Sequence, residues 1–379
     1  MKIVVAPDSF KGSLGANEIC VIVEKSAKEV FGNCEVIKVP MADGGEGTVD
    51  CLSGILSAEK IICNVKDPLG RDINAYYARF GDSAVMEMAQ ASGITLIKEN
   101  ERDILKHSSY GTGEMIIHAV KNGVKNIYIG IGGSATNDGG MGFASAIGVK
   151  FLDKNNSLIN PIPENFLNIH SIDCSNINPL VLGANITVMC DVNNPLLGAS
   201  GATAVFGKQK GADTTSSPIL EKGLEHYITN VEKTISKNIK NNDGAGAAGG
   251  LGAAFMAFTN AKIQSGVKTI LEILKFNEII ADANLVVTGE GMMDYQSAFG
   301  KVASGVGMLC KNQNVPCLAI VGSMGERAEE MFDYGITSII PTVNAIMSLD
   351  YAMKNASYLC ENAATRMFKL INTNINKKW

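Results

Sequence analysis

The chain has 379 residues, 46% hydrophobic and 19% charged, with 40 glycines and only ten prolines. A single core stops growing at about 250–300 residues, so two domains are expected. A formal net charge of −5 and a single Trp exclude a basic or aromatic nucleic-acid platform. No apolar run reaches the ~18 residues that span a membrane, and nine scattered cysteines fit reduced thiols in a cytoplasm.

Residues 2–6 read as a short apolar strand that ends at Pro7-Asp8-Ser9-Phe10-Lys11-Gly12 and not as a signal peptide. Ile19, Val23, Ala27 and Val30 give the next stretch a helical apolar stripe over 16–31, with Ser13 as expected N-cap and Gly32 as C′ residue. A strand at 35–39 runs into Asp43-Gly-Gly-Glu46-Gly, and a helix follows to about residue 57. This βαβα opening predicts a parallel sheet covered by helices. From residue 60 the texture changes: strands at 61–65, 73–80 and 84–88, with tight turns, predict an antiparallel or mixed sheet.

A helix near 113–121 leads to an apolar strand at 126–131 and then to Gly132-Gly-Ser-Ala-Thr-Asn-Asp-Gly-Gly140. Residues 155–175 read as a polar surface loop, 186–190 as a strand ending at Asp191, and 220–236 as a helix. The run Gly244-Ala-Gly-Ala-Ala-Gly-Gly-Leu-Gly252 is too glycine-rich for an ordinary helix interior. The first texture returns with strands at 285–288, 317–321 and 337–341, which complete a five-stranded sheet with the first two. The expected discontinuous domain is therefore 1–60 with 282–379, and 61–281 is an insertion.

Acid-plus-glycine loops recur at strand ends, around Asp8, Asp43, Asp138, Asp191 and Glu290. In open α/β sheets ligands sit outside the carboxyl ends of strands. Several carboxylates beside several glycine loops suit a Mg²⁺-phosphate site, because Mg²⁺ takes one or two carboxylates plus phosphate oxygens and water. Lys11, Lys210 and Lys301, each next to a glycine, are candidate phosphate partners, and Arg71 either caps a turn or clamps a carboxylate. A rival reading takes Gly130-Ile-Gly132-Gly-Ser-Ala135 as a dinucleotide fingerprint with Asp153 on the ribose, which makes an NAD(P)-dependent hydroxyacid oxidoreductase the alternative.

Several blocks together resemble the bacterial glycerate kinase family that uses neither the ribokinase nor the P-loop fold. They are Ala6-Pro-Asp-Ser-Phe-Lys-Gly-Ser13, Pro40-Met-Ala-Asp-Gly-Gly-Glu-Gly-Thr48, Lys66-Asp-Pro-Leu-Gly-Arg71, Tyr110-Gly-Thr-Gly-Glu114 and Ile131-Gly-Gly-Ser-Ala-Thr-Asn-Asp-Gly-Gly140. Further on stand Cys190-Asp-Val-Asn-Asn-Pro-Leu197, Gln209-Lys-Gly-Ala212, the 244–252 glycine run and Thr288-Gly-Glu-Gly291. The order covers nearly the whole chain. Met292 stands where the family usually has Arg, and Lys208 where it usually has Pro.

The resemblance implies a flavodoxin-like parallel-sheet domain with a restriction-endonuclease-like α/β domain inserted, and an active site in the cleft between them. It implies MgATP-dependent phosphorylation of D-glycerate, with the 2- and the 3-hydroxyl both open. A cytoplasmic monomer or homodimer with no nucleic-acid or membrane partner is expected. A non-catalytic glycerate or nucleotide sensor is a second alternative. Within the kinase reading, residue chemistry suggests Asp191 as the base, Lys11 as the neutralising cation and Asp138 as the other catalytic candidate. Arg71, Asp8, Asn137 and Ser134 are expected on the glycerate. Gly132, Gly133, Thr136, Gly246, Gly249, Gly250 and Lys301 are expected on ATP phosphates, and Asp43, Glu46 and Glu290 on Mg²⁺.

Overall fold

The computed structural model describes residues 1–42, 44–45 and 47–375. Asp43 and Glu46, both expected at Mg²⁺, lie outside the described residues. In chain order the strands are β1 (Lys2–Val5), β2 (Glu35–Lys38), β3 (Glu59–Lys66), β4 (Asp72–Phe80), β5 (Ser83–Glu87), β6 (Asn126–Gly130) and β7 (Lys150–Leu152). They continue as β8 (Ser171–Asp173), β9 (Asn185–Met189), β10 (Lys262–Gln264), β11 (Leu285–Met293), β12 (Cys317–Met324) and β13 (Ser338–Pro341).

The apolar runs at both chain ends build one five-stranded parallel sheet in the order β13-β12-β11-β1-β2. Counted among its own strands this is the doubly wound order 2-1-3-4-5, whose direction reverses between β1 and β11. The helix Ala16–Phe31 forms where its stripe predicts, and buries Ile19, Val23 and Ala27. Its N-cap is Gly15 rather than Ser13, because the Glu18 carboxylate accepts from the Gly15 N–H at 2.8 Å while the Ser13 hydroxyl donates to the Phe10 carbonyl. The helix Ala356–Ile375 packs beside it, with the Phe368 ring edge-on to Phe31 at 5.5 Å.

The second sheet, β10-β9-β6-β5-β4-β3, is mixed: β5, β6, β9 and β10 run parallel, and β3 and β4 join as antiparallel strands. The chain divides into two compact units, 1–43 with 267–379 and 44–266. The division falls at 43/44 and 266/267 rather than at 60/61 and 281/282. Packing explains both shifts. Helix Thr48–Leu56 lies on β4 and β5, and Val267 and Leu271 of helix Gly266–Ile273 lie against Gly305. The polar stretch 155–175 is more than a loop: it carries β8 and a 3-10 turn, Pro163–Asn168, because Phe166 is buried 5.3 Å from the Tyr227 ring. Among the described residues no helix is long and apolar enough to cross a membrane.

Deleting the fully buried Phe368 ring leaves a cavity between the two long helices of the first unit. Phe368→Ala is expected to lower its stability by about 3–5 kcal/mol, read as a shift of the urea midpoint.

Candidate active site

Parallel pairing fixes what meets at the carboxyl ends of the second unit's sheet. Glu87, Gly130, Met189 and Gln264 lie side by side in register across β5, β6, β9 and β10. The next residues of each strand therefore leave the sheet as neighbours. Gly132 and Gly133 emerge exposed after β6, and Asp191 emerges exposed after β9. The Asp191 carboxylate accepts from the Gly266 N–H, just past β10, at 3.2 Å. An exposed glycine turn beside an exposed carboxylate is a place where backbone N–H groups face an anion while a base reaches a substrate proton.

Below that turn the chain is locked. Ala135 N–H donates to the Ser92 carbonyl, Ile94 N–H to the Gly133 carbonyl, and Gly139 N–H to the Gly249 carbonyl. The Asp138 carboxylate is fully buried and accepts four bonds: from the Ser109 N–H (2.8 Å) and hydroxyl (2.7 Å), and from the Gly140 and Gly142 N–H groups (3.1 Å each). Burial raises its pKa, the four donors pulling it back down. This makes Asp138 an internal cap for the loop, not a base open to substrate.

Lys210 is buried as well, at 1% exposure, and its ammonium donates to the Ser134 hydroxyl (2.7 Å) and the Thr136 carbonyl (2.8 Å). Burial pushes it down to about 7, with Asp138 acting in the opposite direction. Asn137 is buried too, its amide donating to the Thr203 hydroxyl at 2.9 Å.

Several expected ligand contacts are used inside the protein. Arg71 Nε donates to Asp67, Nη1 to Glu101 and Nη2 to the Leu96 carbonyl, so its fork ties one loop to another and is not open to a bidentate carboxylate. Gly246, Gly249 and Gly250 are buried among backbone. At Gly249 a Cβ would stand 2.0 Å from the Thr136 carbonyl oxygen, at φ +67°. The glycine run thus allows two loops to touch. The dinucleotide alternative also loses its geometry: Asp153 follows β7, which pairs with β8 in a separate antiparallel sheet and not with β6.

The first unit carries its own cavity, about 520 Å³, at the reversal between β1 and β11. Asp8, Lys11, Glu290 and Lys301 line its polar side. The sequence placed Glu290 in a loop, but β11 runs on to Met293 because Met292 and Met293 still pair with Ser323 and Met324 of β12. Glu290 is 7% exposed; its Oε2 lies 3.7 Å from Lys301 Nζ, and its Oε1 has no hydrogen-bond partner. Burial raises its carboxyl pKa, Ser297 and Lys301 lower it, and Asp8 and Asp294 raise it further.

The glycerate kinase family model matches residues 3–372. The chain belongs to the glycerate kinase family. It is 43% identical to the glycerate kinase of Halalkalibacterium halodurans over 96% of both chains, and 41% identical to the glycerate 2-kinase of Escherichia coli over 94% of both. A crystal structure from Salmonella typhimurium LT2 superposes on all of both chains with a TM-score of 0.89 at 38% identity. The family implies ATP as a substrate. Lys210, expected as a phosphate partner, is instead buried beneath the turn, and Glu87 was not anticipated. Lys210 had only its flanking glycine as a signal, and its exposed neighbour Lys208 shares the same short turn. Glu87, buried at the end of β5 and accepting from the Val49 N–H at 2.8 Å, had no signal at all.

The Lys210 shift makes a prediction about pH. The unfolded chain keeps this proton up to the ordinary 10.5, while the folded one releases it near 7. Across that window the unfolded state binds more protons, so stability contributed through this group rises with pH. Urea midpoints taken between pH 7 and pH 9 should therefore climb more in the wild type than in Lys210→Met, which has no proton to release; parallel lines would show an ordinary lysine pKa.

Proposed function

We propose that this chain transfers the γ-phosphoryl group of MgATP to the 2-hydroxyl of D-glycerate, in the cytoplasm. Family membership and several glycerate kinases at about 40% identity support glycerate and ATP as its substrates. The name of the E. coli relative, glycerate 2-kinase, supports the 2-position.

Phosphoryl transfer needs positioning and charge stabilisation more than covalent help from the protein. The exposed Gly132-Gly133 turn offers N–H groups to phosphate oxygens, held stiff by the Lys210 and Asp138 bonds beneath it. Asp191, exposed and steadied by the Gly266 N–H, orients the glycerate hydroxyl and takes its proton as the oxygen attacks phosphorus. Lys11 and Lys301 supply positive charge for phosphate oxygens, and Asp8 and Ser134 remain proposed substrate contacts. Asn137 and Thr136, buried under the turn, fit a supporting role better than direct contact.

Among the described residues no three His, Cys, Asp or Glu side chains gather into a metal cage. Mg²⁺ is proposed to arrive as part of the ATP substrate, with Asp43 and Glu46 its proposed carboxylates. Glu290, beside Lys301, is already compensated by a cation and suits a metal less. The observation that carries this reading is the register-fixed pairing of an exposed glycine turn with Asp191 at the ends of β6 and β9.

Asp191→Asn is expected to lower kcat by about 10²–10⁴-fold with an unchanged melting temperature; a near-normal rate would remove Asp191 from the chemistry. Phosphorus NMR of the product from ATP and D-glycerate reads the regiochemistry, with 2-phosphoglycerate expected and 3-phosphoglycerate contradicting the assignment.

A further inference from the structure

The cavity of the first unit is larger and more apolar on one side than a three-carbon hydroxyacid requires. Its polar side is Asp8, Lys11, Glu290 and Lys301. Its apolar lining is Phe10, Val343, Leu349, Ala352, Met353 and Ala356. A volume of about 520 Å³ falls within the roughly 300–1,000 Å³ of small-molecule and cofactor sites. Glycerate has no apolar face to bury there. The site also occupies the strand-order reversal of a doubly wound parallel sheet, where such sheets hold nucleotides.

Resting on the ATP-dependent reading above, we propose that this cavity is the nucleoside subsite: the adenine lies against the apolar wall, and a ribose hydroxyl donates to the Glu290 carboxylate. Glu290 is almost wholly buried in the cavity lining, with the Ser297 hydroxyl and Lys301 against its carboxylate and its Oε1 making no hydrogen bond of its own. A buried acceptor is costly until it is satisfied, and a hydroxyl donor satisfies it where a phosphate oxygen cannot. Lys301, 3.7 Å from the other carboxylate oxygen, and Lys11 on the same side are cations toward which the phosphate chain can leave the ribose. Phe10 and the segment 349–356 shield one face of the base, so discrimination among bases rests on shape more than on hydrogen bonds.

Wild-type protein irradiated with 8-azido-ATP and Mg²⁺, then digested and mapped by mass spectrometry, tests this without a variant. Label is expected within 342–356, prevented by excess ATP and not by D-glycerate; label confined to 44–266 overturns the proposal. Ala352→Trp, which fills the apolar side, is expected to raise the KM for ATP by about tenfold or more and to leave that for D-glycerate within about twofold. A rise for D-glycerate alone would assign the cavity to the acid. Glu290→Met should erase the difference in KM between ATP and whichever of 2′-deoxy-ATP and 3′-deoxy-ATP binds worse to the wild type; a difference that persists removes Glu290 from the ribose. Failure of the wild type to phosphorylate D-glycerate would refute the reaction assigned above, while the azido mapping would still locate the nucleoside.

Discussion

The exposed turn at Gly132-Gly133 depends on polar side chains that never reach solvent. Lys210 grips Ser134 and Thr136 from below, and Asp138 gathers four donors from 109 and 140–142. Each bond satisfies a group whose burial would otherwise be costly. Together they leave the segment few alternative conformations. A turn offering N–H groups to a phosphate has to be fixed beforehand, because a flexible one loses binding energy to its own ordering. The buried lock and the exposed turn are therefore one device, read from two sides.

Register does the comparable work at longer range. Parallel strands that start in step also end in step, so the loops after β6, β9 and β10 leave side by side although they are far apart in sequence. The same holds in the first unit, where Asp8 N–H donates to the Gly289 carbonyl and brings the loop after β1 to Glu290. Both units thus present acid-and-glycine loops at the carboxyl ends of parallel strands, by the same geometry in sheets of different composition: one wholly parallel, the other with an antiparallel pair at its edge.

Glycine carries the same signal in both of these loops. The sequence shows that the backbone must come close to something at 132–133 and at 246–250. It does not show what. At 132–133 the turn is open, whereas at 249 the close neighbour is the Thr136 carbonyl of the protein itself. Charged residues carry the same ambiguity. Arg71 has the fork for a carboxylate ligand, and the structure gives that fork to Asp67 and Glu101. Lys208 and Lys210 are alike in sequence, yet one is exposed and the other is among the most buried side chains in the molecule.

The sequence by itself determined the elements and the family. Apolar runs of four to nine residues and a stripe along 16–31 are local properties, because backbone periodicity sets which side chains share a face. The ordered motif blocks identified the glycerate kinase family. Only the tertiary structure decided which polar groups meet solvent and which meet one another. Burial of Asp138, Lys210 and Glu290 comes from segments scores of residues away, and a carboxylate or ammonium has the same formula whether it faces water, a ligand or the core.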